Sequence, residues 1–325
     1  MLKNVLVTGA RGFIGRHVVR ALLTKPPARV RLMHRGPYAP PARKGTETVR
    51  ADLTDPASLK DLCKDIDALV HCACLVEGDE QDLHRVNDLG TRALVEEALR
   101  HRVRRIVYVS TAAVYGRGPF RDAAPARLAQ APASAASRTR ARAEHHVLAA
   151  GGTVLRPHLV YGTGDRWMLP GLASLLRFLG AGVACPSVHS AVDVGALAQA
   201  AAAAALEEHR LPPVLHVNHP RPVPASALIG LVTRHLDLPP GELLPLERAR
   251  QLADRSPTAR HHLEMLATDH WFSSARTWRE LDRDPGPAPA QGLTAHLHWY
   301  RPLLRSTTTT RPRPTTQPAP TTPRT

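Results

Sequence analysis

A strand that runs straight into three glycines at three-residue spacing leaves a chain few folds to choose from. Residues 3–23 read KNVLVTGARGFIGRHVVRALL: a short apolar strand, then Gly9, Gly12 and Gly15, then a helix with apolar positions at Phe13, Ile14, Val18 and Leu22. The first glycine permits a tight turn, the second lets backbone approach a pyrophosphate, and the third lets helix and strand pack closely. Amide groups at the start of that helix, those of Phe13, Ile14 and Gly15, then point towards the phosphates. A glycine triplet in this context predicts a dinucleotide-binding βα unit.

The rest of the chain repeats the unit. Short apolar runs recur at RVRLM, ALVHCA, RIVYVS, GTVLRP and VLHVN, and helical patterns such as GTRALVEEALR and VGALAQAAAAAALEEH lie between them. Such alternation argues for a parallel sheet covered on both faces. From about Pro220 the pattern becomes proline-punctuated and helix-rich, without clear strands. The expected class is α/β: a Rossmann, doubly wound parallel sheet with a smaller, mostly helical C-terminal substrate lobe. The expected division is 1–164 and 187–219 for the dinucleotide domain, and 165–186 and 220–305 for the substrate lobe. The Thr/Pro/Arg-rich stretch 306–325 has almost nothing apolar to bury and is expected to be disordered.

Composition narrows the partners. A net charge of +15 suggests a polyanion, yet the basic residues are almost all arginine, with lysine only at Lys3, Lys25, Lys44, Lys60 and Lys64. No compact basic run with interleaved aromatics occurs, so nucleic acid is not an expected partner. The four cysteines, Cys63, Cys72, Cys74 and Cys185, suit neither a disulfide framework nor a metal site, and no metal ligand set is read from the spacing. Neither a signal peptide nor an apolar run of about 18 residues is visible, so a cytoplasmic protein without a membrane partner is expected.

The end of the second strand bears on which dinucleotide is held. An acidic residue there would bond a ribose hydroxyl, and an arginine suits a 2′-phosphate. The sequence has His34 and Arg35 and no acid, and Arg11 stands in the glycine turn. The pair favours NADPH, with NADH the alternative.

Taken in order, TGARGFIG, ADLTDPASL, HCAC, RVNDLGTRALVEEA, VYVSTAAVYG, LRPHLVYGTGDR and SAVDVGALAQA resemble the extended short-chain dehydrogenase/reductases, the NAD-dependent epimerase/dehydratase family, over about residues 1–220. The resemblance implies that Asp52 and Leu53 lie at the adenine, that Cys72, Ala73 and Cys74 flank the cofactor, and that Pro157 lies near the nicotinamide. It implies structural roles for Asn87 and Asp193, and a homodimer through residues 91–101 and 138–149. In this family a Ser/Thr orients the substrate carbonyl, a Tyr passes the proton, and a Lys four residues on assists it. Thr111 matches the Ser/Thr, with Ser110 beside it. Counting back from Ala143-Glu144, the tyrosine position holds Ala136 and the lysine position holds Arg140. No lysine follows Lys64, so no Tyr-x-x-x-Lys exists downstream.

Losing a general acid costs about 10²–10⁴ in rate. Thr111 still offers a hydrogen bond, and Arg140 still offers positive charge but no exchangeable proton near neutral pH. The remaining proton sources are water, a side chain such as Tyr161 or His158, or the substrate. Leu159 stands where sugar-nucleotide enzymes of the family often place an asparagine, which shifts the expectation to an apolar ketone. Tyr115, His158, Tyr161 and Trp167, with Met168 and the LASLLRFLG helix, are candidates to line its pocket or to pack the interlobe seam. The chain looks like the unusual angucyclinone ketoreductases of antibiotic biosynthesis, which lack that dyad. A non-catalytic NAD(P)H sensor and a sugar-nucleotide epimerase or dehydratase are the competing expectations.

Overall fold

The protein is described here by a computed structural model covering residues 3–24, 28–37, 44–236, 238 and 243–305. The expected tail at 306–325 lies outside these residues. Seven strands, β1 (Lys3–Thr8), β2 (Ala28–His34), β3 (Thr46–Arg50), β4 (Ala68–His71), β5 (Arg105–Val109), β7 (Thr153–Arg156) and β11 (Val214–His216), form one sheet. Its order is β11-β7-β5-β4-β1-β2-β3, and every pairing is parallel. Parallel strands need helical crossovers, which cover both faces of the sheet. This is the doubly wound α/β fold expected from the repeated units.

Alternation along β1 shows how one strand serves two cores. Val5 and Val7 point into a cluster with Val18 and Leu22 of α1 (Phe13–Leu23), whereas Leu6 points into another with Leu94 and Val95. The second cluster also holds Ala143 and Val147, so α3 (Gly90–Arg100) and α4 (Ala135–Ala149) cover that face. Between α2 (Glu80–Leu83) and α3, one π-helical turn carries Asn87, which clamps the Leu75 backbone through both its amide atoms at 2.7 and 2.8 Å. On the first face, α6 (Val194–Leu206) is almost entirely buried alanine beside α1, so the helices pack closely. Asp193 caps α6, accepting from the amides of Gly195 and Ala196.

A third apolar cluster lies among α5 (Met168–Leu179) and helices at Ala225–Thr233, Pro257–Ala267 and Leu297–Arg305. The helical reading of this region needs one correction. Beyond Pro220 the chain returns as a strand, β13 (His270–Phe272), in a small sheet with β6 (Phe120–Ala123), β9 (Val188–His189) and β12 (Val223–Pro224). Three residues flanked by helices are too short to carry a period-two signal. A separate parallel pair joins β8 (Leu159–Tyr161) to β10 (Ala191–Asp193). Among the described residues no helix is long and apolar enough to cross a membrane.

Burial leaves several histidines uncharged. It lowers His71 to about 3, His216 to about 3 and His189 to about 4, and it holds His158 well below 6.5. A histidine depressed in the folded state binds its proton only on unfolding, so it favours unfolding once pH falls below about 6.5. Each such group removes about 1.4 kcal/mol of stability per pH unit until its folded pKa is reached. The urea midpoint should therefore fall steeply between about pH 7 and about pH 5, with a slope corresponding to more than one proton. A flat profile would contradict neutral burial.

Candidate active site

The site is assembled at the carboxyl ends of the central strands, where the strand order reverses between β1 and β4. Gly9 ends the first turn at φ +66°, and a Cβ there would sit 2.7 Å from the Ala73 amide nitrogen. Gly15 is tighter: a Cβ would overlap the Gly9 carbonyl oxygen. These two contacts bring the N-terminus of α1, with Gly12 at its cap, against the start of the β4 loop. The donor set is a backbone cradle with the positive end of a helix dipole, which fits a dinucleotide pyrophosphate. Thr8 completes the floor: its hydroxyl accepts from the Ala73 amide at 3.2 Å and meets His71 Nδ1 at 2.6 Å.

Phe13 and Ile14 open α1 and are half-buried. Arg35 is exposed directly after β2, and Arg11 reaches towards it, with Nη1 3.8 Å from the position a Gly36 Cβ would take. Asp52 is locked in a turn by accepting from Thr54 at 2.9 and 2.8 Å, and Leu53 is buried against Gly90. Cys72, Ala73 and Cys74 follow β4 and are half-buried. The Pro157 carbonyl accepts from the Ala112 amide at 2.8 Å, which brings the end of β7 beside Thr111.

A buried carboxylate organises the reacting end. Glu144 on α4 accepts from both Nε and Nη2 of Arg156, with Nε at 3.0 and 3.2 Å from its two oxygens. Gln130 donates to it at 2.6 Å, and Ser110 donates to its other oxygen. Arg156 continues through Nη1 to the Tyr115 hydroxyl at 2.6 Å, which meets His216 at 2.6 Å. Ser110 is thus consumed by the network. Thr111 is the hydroxyl left available: it accepts from the Ala113 amide at 3.2 Å and has no acceptor for its proton among the described residues.

Arg140 lies one helical turn from Glu144 on α4. Its Nη2 donates to the Val109 carbonyl at 3.0 Å, at the end of β5, and its Nε is buried without a hydrogen-bond partner among the described residues. The buried Tyr108 hydroxyl interacts with Arg140 and is itself otherwise unpartnered among the described residues, so the pair leaves polar capacity that fits a group such as a ribose hydroxyl. Ala136 is half-buried one turn earlier on the same helix.

Beyond Pro157 a cavity of about 160 Å³ opens between α5 and the small sheet. Leu159, Trp167, Met168, Leu172 and Leu175 give it an apolar wall, and His158 and His189 give it a polar one. Of the four candidate pocket residues, His158 and Trp167 line this cavity. Tyr115 does not: it is buried in the Arg156 network, and burial raises its hydroxyl above its usual range against the opposing Arg156. Tyr161 is fully buried against Gly292, with its hydroxyl pushed upward by burial. Neither tyrosine is exposed to the cavity, so neither is placed to supply a proton there. Sequence reasoning missed His189, Leu228, His262 and Met265, which come from segments with no shared motif.

Comparison with known proteins agrees with the fold. The NAD dependent epimerase/dehydratase family matches residues 5–176. A 2-alkyl-3-oxoalkanoate reductase of Stenotrophomonas maltophilia (strain K279a) is 28% identical, covering 89% of this chain and 97% of its own. A 4-hydroxy-2-methyl-3-oxo-4-farnesyl-3,4-dihydroquinoline-1-oxide ketoreductase of Stigmatella aurantiaca is 32% identical over 54% of this chain and 55% of its own length. Among solved structures, a UDP-glucuronic acid 4-epimerase from Bacillus cereus in complex with NAD superposes with a TM-score of 0.70 at 18% identity. That superposition covers 93% of this chain and 100% of the other.

The network predicts an asymmetry. Glu144→Ala strands the buried Arg156 charge and should cost about 3–5 kcal/mol in urea unfolding. Adding Arg156→Met should restore much of the loss, because a buried ion pair replaced whole is often close to neutral. Equal losses for the single and double variants would show that the pair is not an energetic unit.

Proposed function

Because the chain belongs to the NAD dependent epimerase/dehydratase family, its chemistry is that of a nicotinamide-dependent enzyme, and we propose that it is an NADPH-dependent ketoreductase. Its substrate in this reading is a hydrophobic ketone of the polycyclic aromatic polyketide type, angucyclinone-like, in antibiotic biosynthesis. The observation that carries the reading is the pair at the end of β5, Thr111 with an available proton and Arg140 with an unmet Nε; the apolar cavity beyond Pro157, lined by His158 and not by either of these two, is the space offered to the ketone. Two relatives named as a reductase and a ketoreductase support the direction of the chemistry.

When bound, the nicotinamide supplies the hydride. Thr111 donates a hydrogen bond to the ketone oxygen and holds the carbonyl in line. Arg140 bonds the ribose and offsets the negative charge that develops on that oxygen, without releasing a proton. The residue four positions before Arg140 is Ala136, so α4 offers no acid there. The alkoxide then takes its proton from a phenol next to the ketone, and solvent returns a proton to the phenolate. An internal hydrogen bond from that phenol also activates the carbonyl before reduction. We further propose a homodimer, for which Leu89 and Leu99 at the two ends of α3 offer exposed apolar contacts.

A second reading, a non-catalytic NAD(P)H sensor, is favoured by Ala136 alone. One assay separates the two. With a panel of anthraquinone- and angucyclinone-type ketones, NADPH oxidation should occur only where a phenol stands beside the carbonyl, and masking that phenol should slow turnover about 10²–10⁴-fold. Tight NADPH binding without reduction of any ketone would favour the sensor. Equal turnover of ketones lacking the phenol would remove the substrate as the proton source.

Cofactor choice has its own test. Arg35→Ala removes a charge-assisted contact to the 2′-phosphate, so NADPH affinity should fall about 10- to 100-fold while NADH affinity changes little. An unchanged NADPH affinity would contradict the arginine clamp.

A further inference from the structure

Three histidines from distant parts of the chain meet beside the cavity, two of them, His158 and His189, on its wall. His158 follows Pro157, His189 ends β9, and His270 begins β13. His189 and His270 are register partners on adjacent parallel strands, so their side chains leave the small sheet side by side. Ring centroids lie 5.0 Å apart for His158 and His270, 5.9 Å for His189 and His270, and 6.0 Å for His158 and His189, with all planes within 13°. One ring nitrogen of each lies within 4.8 Å of those of the other two.

The hydrogen bonds around the rings define what those nitrogens can do. His270 meets the Thr268 carbonyl through Nδ1 at 2.8 Å, and His189 meets the Leu266 carbonyl through Nε2 at 3.0 Å. A carbonyl only accepts, so each of these nitrogens carries the proton, and the opposite nitrogen of each neutral ring presents a lone pair. His270 Nε2 is such a nitrogen: the residue is 2% exposed, and the atom has no hydrogen-bond partner among the described residues. A carbonyl-anchored N–H opposite the ligand nitrogen is also the usual second shell of a metal-bound histidine.

We propose that His158, His189 and His270 bind a divalent transition-metal cation of the zinc class, with its open coordination position facing the apolar cavity. Three neutral imidazoles and one open position are the donor set of a tetrahedral zinc site. Zinc–nitrogen bonds of about 2.0–2.1 Å at tetrahedral angles put ligand nitrogens about 3.3 Å apart, so nitrogens lying within 4.8 Å of one another draw together by up to about 1.5 Å. Borderline imidazole donors with no carboxylate disfavour magnesium and calcium. His158 and His189 both line the cavity, so a ligand oxygen in that space can complete the shell. Binding of the cation stands independently of ketone reduction. Only the identity of the oxygen ligand rests on the ketoreductase reading.

Cobalt(II) is the probe, because its visible absorption reports coordination directly. Full-length protein stripped of metal by chelator and dialysis should take up one equivalent of Co²⁺, give an intense tetrahedral-type visible band, and release it to Zn²⁺. His158→Ala, at a half-buried position, and His270→Ala should each abolish the band, with folding checked by circular dichroism. His101→Ala is the control, because it removes one member of a separate Asp61, Glu97 and His101 cluster and should leave the band intact. No band in wild-type protein, or a band that survives both His158→Ala and His270→Ala, overturns the site. NADPH affinity, followed separately by fluorescence, keeps this outcome distinct from failure of the reductase reading.

Discussion

One buried carboxylate sets the geometry of the reacting end. Glu144 lies on α4 and is fully buried, and it is satisfied by Arg156 from β7, Ser110 from the end of β5 and Gln130 from the preceding loop. A buried charge is tolerated only with such complete pairing. The consequence is a fixed register: α4 cannot slide or rotate against the sheet without breaking several charge-assisted hydrogen bonds at once. That register decides what α4 presents at the end of β5, namely Arg140, bonded to the Val109 carbonyl, with Ala136 a turn before it on the helix. It also decides which of two adjacent hydroxyls is available, because Ser110 is committed to Glu144 and Thr111 is not.

The large sheet was legible from the chain because its signals are local. Each strand is a short apolar run, each crossover a helical period, and the glycine turn couples the two. Gly9 and Gly15 carry their reason in the backbone itself, since the turn at one blocks a side chain at the other. The site was legible only where a motif carried it. Thr111, Arg140 and the cradle follow from spacing against the family pattern, and the structure draws them to one end of the sheet.

What the chain hid depends on pairings distant in sequence. Tyr115 and Tyr161 look like pocket residues in isolation, yet Tyr115 is held by Arg156 and His216, and Tyr161 packs on Gly292 far along the chain. Strand β13 is three residues long, so no periodicity announces it, and with it went any sign that His270 stands beside His189. Histidines 31 and 81 residues apart form no spacing motif. They meet only because a short strand from the C-terminal part inserts between β9 and β6.

The central claim is that a helix without the usual tyrosine still serves hydride transfer, with Thr111 and Arg140 positioning a ketone that brings its own proton. The most direct measurement is the fate of the transferred hydrogen. Protein, NADPH carrying deuterium at both positions of the nicotinamide C4 methylene, and a phenol-bearing polycyclic ketone are incubated together, and the product is analysed by mass spectrometry and NMR. The account predicts one deuterium on the new carbinol carbon, with the hydroxyl proton exchanging freely with solvent. Cofactor that binds yet delivers no deuterium to any ketone would contradict it and leave a nucleotide-binding protein in place of an enzyme.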